Sequence, residues 1–431
     1  MGHDNHLDLP VDDVSAERLA ADGLRLGLLD PSDQQAYAAW SRAESRGFHG
    51  SRETSEAIEQ RRTYVMSRRI TGVWDASAPL PDEPVATTEV WPADLTVPGR
   101  RSVGSWAISG VTVAPTHRRR GVARALLEAE LRTAMAHGTP VATLTVSEST
   151  IYGRFGFAPA ALARDLTIDT RRARWTGPQP SGRVHFVTAD ELLADGLALV
   201  ERVRLETPGQ IAYDGILWDR QLGLMIGDED AKKQRFIRYD DASGQLQGFA
   251  SYKLTANDRD FTQHRLDLLH LVTATDDAYA ALWRFVLEMD LVSEVRAHLR
   301  PVDEPVRWMV SDFRAVQVAE LDHLWIRILD IEAALGARTY AAPGRLVLGV
   351  SDPFGACDGT WALDVDTTGA ATVTPSNEPA DVALSVEDLA AIYLGGVSPV
   401  VLAAAGRITG SAAELEQMFR SPVAPFLSIW F

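Results

Sequence analysis

Two hydrophobic periods alternate along residues 23–157. Val122, Ala125, Leu126 and Ala129 fall at i, i+3, i+4 and i+7, one apolar stripe of an amphipathic helix. Gly138 ends that helix, and Pro140 stands two residues on. Shorter helical patterns cover 32–46 and 54–60. Runs rich in Val, Thr and Trp predict strands at 63–67, 85–91 and 106–113, followed by 141–146 and a short helix at 149–155. The order strand, helix, strand, short helix predicts a βαβ-like core.

Beyond residue 157 the pattern breaks twice. The stretch 171–183 is rich in Arg, Pro and Gly without an apolar period and reads as a linker. A vaguer seam runs from Arg300 to Asp312. Between them, 265–273 reads as a strand leading into a helix at 276–283. The last part reads as sheet plus helices, with strands at 345–351, 360–366 and 370–374 and a turn at 366–369. Ser385 and Asp388 have capping-box spacing before a helix at 389–394, which Gly395 and Gly396 stop. The first twenty or so residues, acidic and Ala-rich, are expected to be a loosely ordered extension.

Length and charge narrow this picture. At roughly 100–200 residues per domain, 431 residues make two to four domains, three being the natural number. Forty-two basic and 59 acidic residues give a net charge of −17, which disfavours nucleic acid and favours cationic partners such as amines. The one cysteine, Cys357, excludes an intrachain disulfide. No apolar run approaches the roughly 18 residues that span a bilayer. The N-terminus is polar and acidic, unlike a secretory signal. Gly2 invites an acylation reading, but His6 stands where Ser or Thr is wanted. These features lead to the expectation of a soluble, cytoplasmic protein with no membrane partner. The ten histidines lack paired ligand spacing, so no metal is expected.

The candidate chemistry lies where the strand at 106–113 runs through Pro115 into Arg118-Arg119-Arg120-Gly121-Val122-Ala123. The first N–H groups of a helix lack partners and sit at the positive end of the helix dipole, so they bind anions. Gly121 and Ala123 would leave those amides bare, while the arginines add charge in an otherwise acidic protein. The alternative is an ordinary solvated helix start. Arg-x-x-Gly-x-Ala after a strand resembles the signature of the GNAT acyltransferase superfamily. A second family element follows at the right distance, Ile151-Tyr152-Gly-Arg-Phe-Gly156-Phe157. The longer strings from Val113 to Gly121 and from Ile151 to Gly156 resemble the Eis (enhanced intracellular survival) acetyltransferases. So do stretches from Val272 to Trp283 and from His323 to Leu329, and an aromatic C-terminus, so the likeness covers nearly the whole chain.

That resemblance implies an α+β (mixed α/β) chain: two tandem GNAT-like domains followed by a sterol-carrier-protein-like C-terminal domain. The boundaries are placed at 1–22 for the extension, 23–165 for the catalytic domain, 166–310 for the second and 311–431 for the third. It further implies a hexamer, with acetyl-CoA as cosubstrate for acetylating aminoglycosides or similar polycationic amines. Alternatives are acetylation of protein lysines, or non-catalytic binding of acyl-CoA or lipid. Val111, Thr112 and Val113 would pair with the pantetheine arm, and Arg118, Arg119, Arg120, Gly121 and Ala123 would hold its phosphates. In the family pattern Tyr152 is the general acid, suited by a phenol pKa near ~10 to return a proton to a thiolate. The family places the C-terminal carboxylate in the active site as the base, which points to Phe431; the alternative is a hydrophobic anchor. Trp40, Glu44, Phe48, Glu148 and Trp430 are candidates to contact the amine, Trp40 and Phe48 having core packing as their alternative. In the second domain Asp276 and Asp277 open the corresponding helix without glycines and would repel a pyrophosphate, which leaves one site per chain. A lipid tunnel in the third domain rests on fold analogy alone, against a structural and assembly role.

Overall fold

The computed structural model describes residues 6–431; Gly2 lies outside them. The first unit contributes strands β1 (Leu24–Leu29), β2 (Arg69–Asp75), β3 (Ala86–Val97), β4 (Arg101–Val113), β5 (Val141–Thr145) and β6 (Ala158–Asp169). Its helices are α1 (Asp13–Ala21), α2 (Gln34–Gly47), α3 (Ser55–Tyr64), α4 (Val122–Ala136) and α5 (Ser149–Tyr152). The second unit adds β7 (Arg183–Val187), β8 (Arg235–Asp240), β9 (Leu246–Thr255), β10 (His264–Thr273), β11 (Val292–Arg300) and β12 (Val316–Ile328). With them come α6 (Ala189–Leu192), α7 (Asp195–Arg204), α8 (Gly215–Gln221) and α9 (Asp276–Leu287). The third holds β13 (Gly344–Ser351), β14 (Gly359–Val365), β15 (Ala371–Pro375), β16 (Val382–Ser385) and β17 (Thr409–Gly410). Its helices are α10 (Ile331–Ala337), α11 (Val386–Ile392), α12 (Pro399–Ala404) and α13 (Ala412–Phe419).

The first two units share one twelve-stranded sheet, ordered β1-β2-β3-β4-β5-β12-β6-β11-β10-β9-β8-β7. The order exchanges two strands. β12 comes from the second unit but lies antiparallel between β5 and β6 of the first, and β6 in turn pairs with β11 of the second. His323–Ile328 is buried throughout, as a strand covered on both faces must be. A cut at 165/166 therefore falls inside β6. One at 310/311 strands β12 with the third unit, although the five-stranded sheet lies wholly beyond α10.

Four local expectations change. Residues 63–67 are no strand: Thr54 caps α3 by accepting from Ala57 N, the helix runs on to Tyr64, and a single 3-10 turn precedes β2. Within the extension, residues 12–22 are ordered, because Asp12 caps α1 and pairs with Arg132 of α4 at 2.9 Å while Leu19 is buried beside α4. The linker is tied down too, Thr176 N–H donating to Met309 O (2.8 Å). The capping box at Ser385 and Asp388 is present, but α11 runs over Val386–Ile392 instead of 389–394, because the helix begins directly after Ser385 and Asp388 lies in its first turn.

β4 and β5 run parallel only from Ser105/Val141 to Ala107/Thr143 and then diverge. Side chains alternate across the sheet. Val90, Trp106, Ile108 and Tyr152 pack on the α4 face. Trp91, Ala107 and Leu324 pack on the other, against Leu389, Leu427 and Ile429 of the third unit. A buried ion pair, Arg327–Asp352 at 2.7 Å, ties β12 to that unit.

Candidate active site

The loop between β4 and α4 is built for exposed backbone amides. Gly121 is the N-cap of α4 at φ +75°, and no side chain caps the helix. A side chain there would meet only Arg18, at 3.4 Å, so glycine is favoured by conformation rather than space. Arg119 also has positive φ. Arg118 and Arg119 are exposed with no ion-pair partner among the described residues, whereas Arg120 donates to Asp22 O (2.9 Å). His117, buried against Asp75 at 3.0 Å, pins the start of the loop.

Just before this loop β4 bulges. Ser109 to Thr112 is three steps along β4 opposite two steps, Glu89 to Thr87, on β3. Gly110 supplies a positive φ of +62°. Hydroxyls of Thr87 and Thr88 donate to the carbonyls of Gly110 (2.8 Å) and Ser109 (3.0 Å), satisfying the kinked backbone from the β3 side. Val111, Thr112 and Val113 thus lie where β4 has left β5.

Tyr152 ends α5 on the α4 face, buried edge-to-face against Phe157. Burial, aided by the Glu148 carboxylate, pushes its phenol up to about 12. Glu148 itself is exposed at the head of α5, one turn before Tyr152.

The C-terminal tail arrives on the opposite face. Phe431 N–H donates to Thr145 Oγ1 (3.3 Å), and that hydroxyl donates to a Phe431 oxygen (2.6 Å). The Phe431 ring meets Trp91 edge-on at 5.6 Å, and Arg68 covers the Trp91 ring at 3.7 Å. His323 donates from Nε2 to Ile429 O (2.8 Å) and packs on Trp430, which is 44% exposed.

Carboxylates crowd the same face beside the bulge. A side chain at Gly110 would stand 3.1 Å from Glu44 and 3.4 Å from Glu89. Glu44 pairs with Arg61 at 2.5 Å, and burial raises its pKa against the pull of that guanidinium. Arg68 pairs with Glu89 (2.8 Å) and Asp214 (2.6 Å). Trp40 faces no open surface. It is fully buried, stacked on Tyr37, with its indole donating to Thr71 O (2.9 Å), so core packing has claimed it. Phe48 is half exposed at the end of α2.

Sequence reasoning passed over Thr145, Arg68, Glu89, Trp91 and Gly110. Two carried signals: a glycine inside a strand run suggests a bulge, and Glu89 is a lone charge in an apolar run.

The second unit differs at the corresponding places. Thr275 caps α9 by accepting from Ala278 N, with Asp276 and Asp277 in the first turn. Arg300, the last residue of β11, and Glu304 form a buried pair at 3.0 Å, and Glu304 accepts also from Trp283 and Tyr279.

This fold and site define a tandem GNAT acyltransferase. Residues 29–160 and 209–328 each match an acetyltransferase (GNAT) domain family, and residues 331–428 match the sterol carrier protein domain. An uncharacterised N-acetyltransferase of Streptomyces avermitilis is 35% identical over 409 residues, covering 92% of this chain and 96% of its own. The N-acetyltransferase Eis of Mycobacterium tuberculosis is 35% identical over 331 residues, 74% of this chain and 78% of its own. The crystal structure of Eis1 from Mycobacterium abscessus superposes with a TM-score of 0.78 at 26% identity, over 95% of this chain and all of that one. The chain belongs to the Eis family of GNAT N-acetyltransferases. Its fold implies acetyl-CoA as cosubstrate, and the uncapped α4 and bulged β4 suit that group. No helix among the described residues is long and apolar enough to cross a membrane.

Proposed function

We propose that the chain acetylates primary amines of aminoglycosides or similar polycationic amines, at one site in the first unit completed by the tail. The observation that carries this reading is that Tyr152 and Phe431 occupy opposite faces of the sheet where β4 and β5 part. Acetyl-CoA, when bound, supplies the activated acyl group as a thioester. The bare amides at Gly121, Val122 and Ala123, with Arg118 and Arg119, hold its phosphates. Arg120 lends charge from its contact with Asp22. Backbone N–H groups of Val111–Val113 orient the pantetheine arm and polarise the acyl carbonyl. Tyr152 Oη holds a proton at working pH and releases it on the thiol side.

On the acceptor face the Phe431 carboxylate takes up the proton of the amine. Its intrinsic pKa is near ~3.5, so it works through a water relay. Glu44, Glu89 and Asp214 stand against Arg61, Arg68 and Arg220, three carboxylates to three guanidiniums, so support for a cationic acceptor comes from the net charge of −17 over the whole chain. Phe48 and Trp430 border this face. Glu148 acts through Tyr152. The side-chain cap on α9 and the Glu304 cluster support a single site per chain. The third unit is structural, its apolar core continuous with the acceptor face. The hexamer and the cytoplasmic location belong to the same proposal, on family grounds.

The test is thiol release across aminoglycosides, short polyamines and lysine peptides, with matched N- and C-terminal extensions. Polycationic amines should turn over best. Residues appended after Phe431 should lower turnover roughly 10²-fold, while an N-terminal tag should be harmless. Binding of acetyl-CoA without thiol release from any amine would make the chain a non-catalytic binder.

A further inference from the structure

The tail is seated by the second unit. Residues 207–213 are laced to β3 of the first unit: Gly209 N–H donates to Thr96 O (2.8 Å), Thr96 N–H to Gln210 O (2.8 Å) and Ala212 N–H to Asp94 O (3.0 Å). The opposite side of this segment receives the tail. Phe426 N–H donates to Pro208 O (2.8 Å). Ser428 Oγ donates to Gln210 Oε1 (3.0 Å) and shares a hydrogen bond with the Tyr213 hydroxyl (3.2 Å). Arg220, at the end of α8, donates to the Trp430 carbonyl, one residue before Phe431.

Gly209 makes the close approach possible. Its φ is +97°, and a β-carbon there would stand 3.1–3.3 Å from the backbone of Phe426. Any larger residue strains the turn and pushes on the tail. These contacts are to backbone or to small hydroxyls at alternate tail positions, an arrangement that fixes the path of a chain. The second unit caps its own α9 with Thr275, yet it supplies four grips on a segment that ends at the first unit's reaction centre.

We infer that segment 208–220 of the second unit is a working part of the first unit's active site, with Gly209 and Arg220 as positioning residues that hold Phe431 against Thr145. The inference rests on the acceptor-side role proposed above for the tail. A displacement of about 1 Å at a reacting group can cost on the order of 10²-fold in rate without altering a remote binding site. The acetyl-CoA cradle at α4 makes none of these tail contacts. The second unit should therefore govern kcat and leave cofactor affinity alone.

The experiment compares Arg220→Met, Arg220→Lys, Gly209→Val and a chain lacking residues 429–431, each as the full-length protein otherwise. Arg220→Met and Gly209→Val should each lower kcat by about 10- to 100-fold with the Kd and KM for acetyl-CoA unchanged. Arg220→Lys, which keeps a donor on a long stem, should recover most of the loss. Unchanged kcat in both Arg220→Met and Gly209→Val, or losses matched by equal weakening of acetyl-CoA binding, would overturn the inference. Full turnover by the truncated chain would instead overturn the role of the tail itself.

Discussion

Tyr152 keeps its proton because it is buried: its phenol is pushed up to about 12, well above the range in which an enzyme works. In the proposed role the donor is always loaded at working pH; a thiolate, with a conjugate acid at ~8.5, is a weaker base than this phenolate, so the transfer runs uphill and the phenolate must recover its proton from solvent. Tyr152→Phe should therefore keep the fold and most cofactor binding but lower turnover on the order of 10²–10⁴-fold, measured by thiol release. His323 shows the opposite effect. Burial pushes its pKa down to about 4, and its Nε2 must carry the hydrogen because a carbonyl can only accept. A proton on Nδ1 would be buried without an acceptor. Between pH 6.5 and about 4 the unfolded chain binds a proton that the native state refuses. The stability held by the neutral ring is thus fully present above pH 6.5 and falls as the pH drops, by at most ~1.4 kcal/mol per unit. Thermal unfolding from pH 7 to 4 should show this slope, and His323→Gln should flatten its share of it.

At the scale of elements, α4 and α9 contrast at their first turns. Both follow a strand in a GNAT-like unit, yet α4 starts at an uncapped glycine and α9 at a threonine that bonds its own helix. A side-chain cap occupies a donor that an anion would otherwise take. Gly121→Asp puts a carboxylate where the phosphates should lie, and aspartate tolerates positive φ, so the backbone should survive. Calorimetry should find one acetyl-CoA per chain for the native protein. The variant should lose at least ~2 kcal/mol of affinity, the scale of an unpaired charge held against its like. Two equivalents bound by the native protein would end the single-site reading.

The whole molecule is organised by strand exchange. β12 fills the gap between β5 and β6, and β6 serves both halves of the sheet. A fragment of residues 1–170 would lack β12 and leave β5 and β6 as open apolar edges, which invite aggregation. That fragment should be insoluble or lack cooperative unfolding when expressed alone, and co-expression with 171–431 should restore solubility. A soluble fragment with a sharp thermal transition would mean that the first unit closes its sheet without β12.

Local chemistry was legible from the sequence by itself. The stripe from Val122, the bare helix start at Gly121 and the cap at Ser385 follow from contacts within a few residues, which periodicity and turn chemistry report directly, while the three-part organisation came from chain length and the family resemblance. Tertiary structure alone decided what distant residues do together. Thr145 and Phe431 meet across a sequence separation of 286, and Arg68 reaches Asp214 across 146. The exchange of β6 and β12 is equally invisible in sequence, because a strand covered on both faces looks the same whichever sheet position it fills. Trp40 shows the same limit at a single site: an aromatic suits both a pocket and a core, and only the packing of Tyr37 and Thr71 around it settles which one it joins.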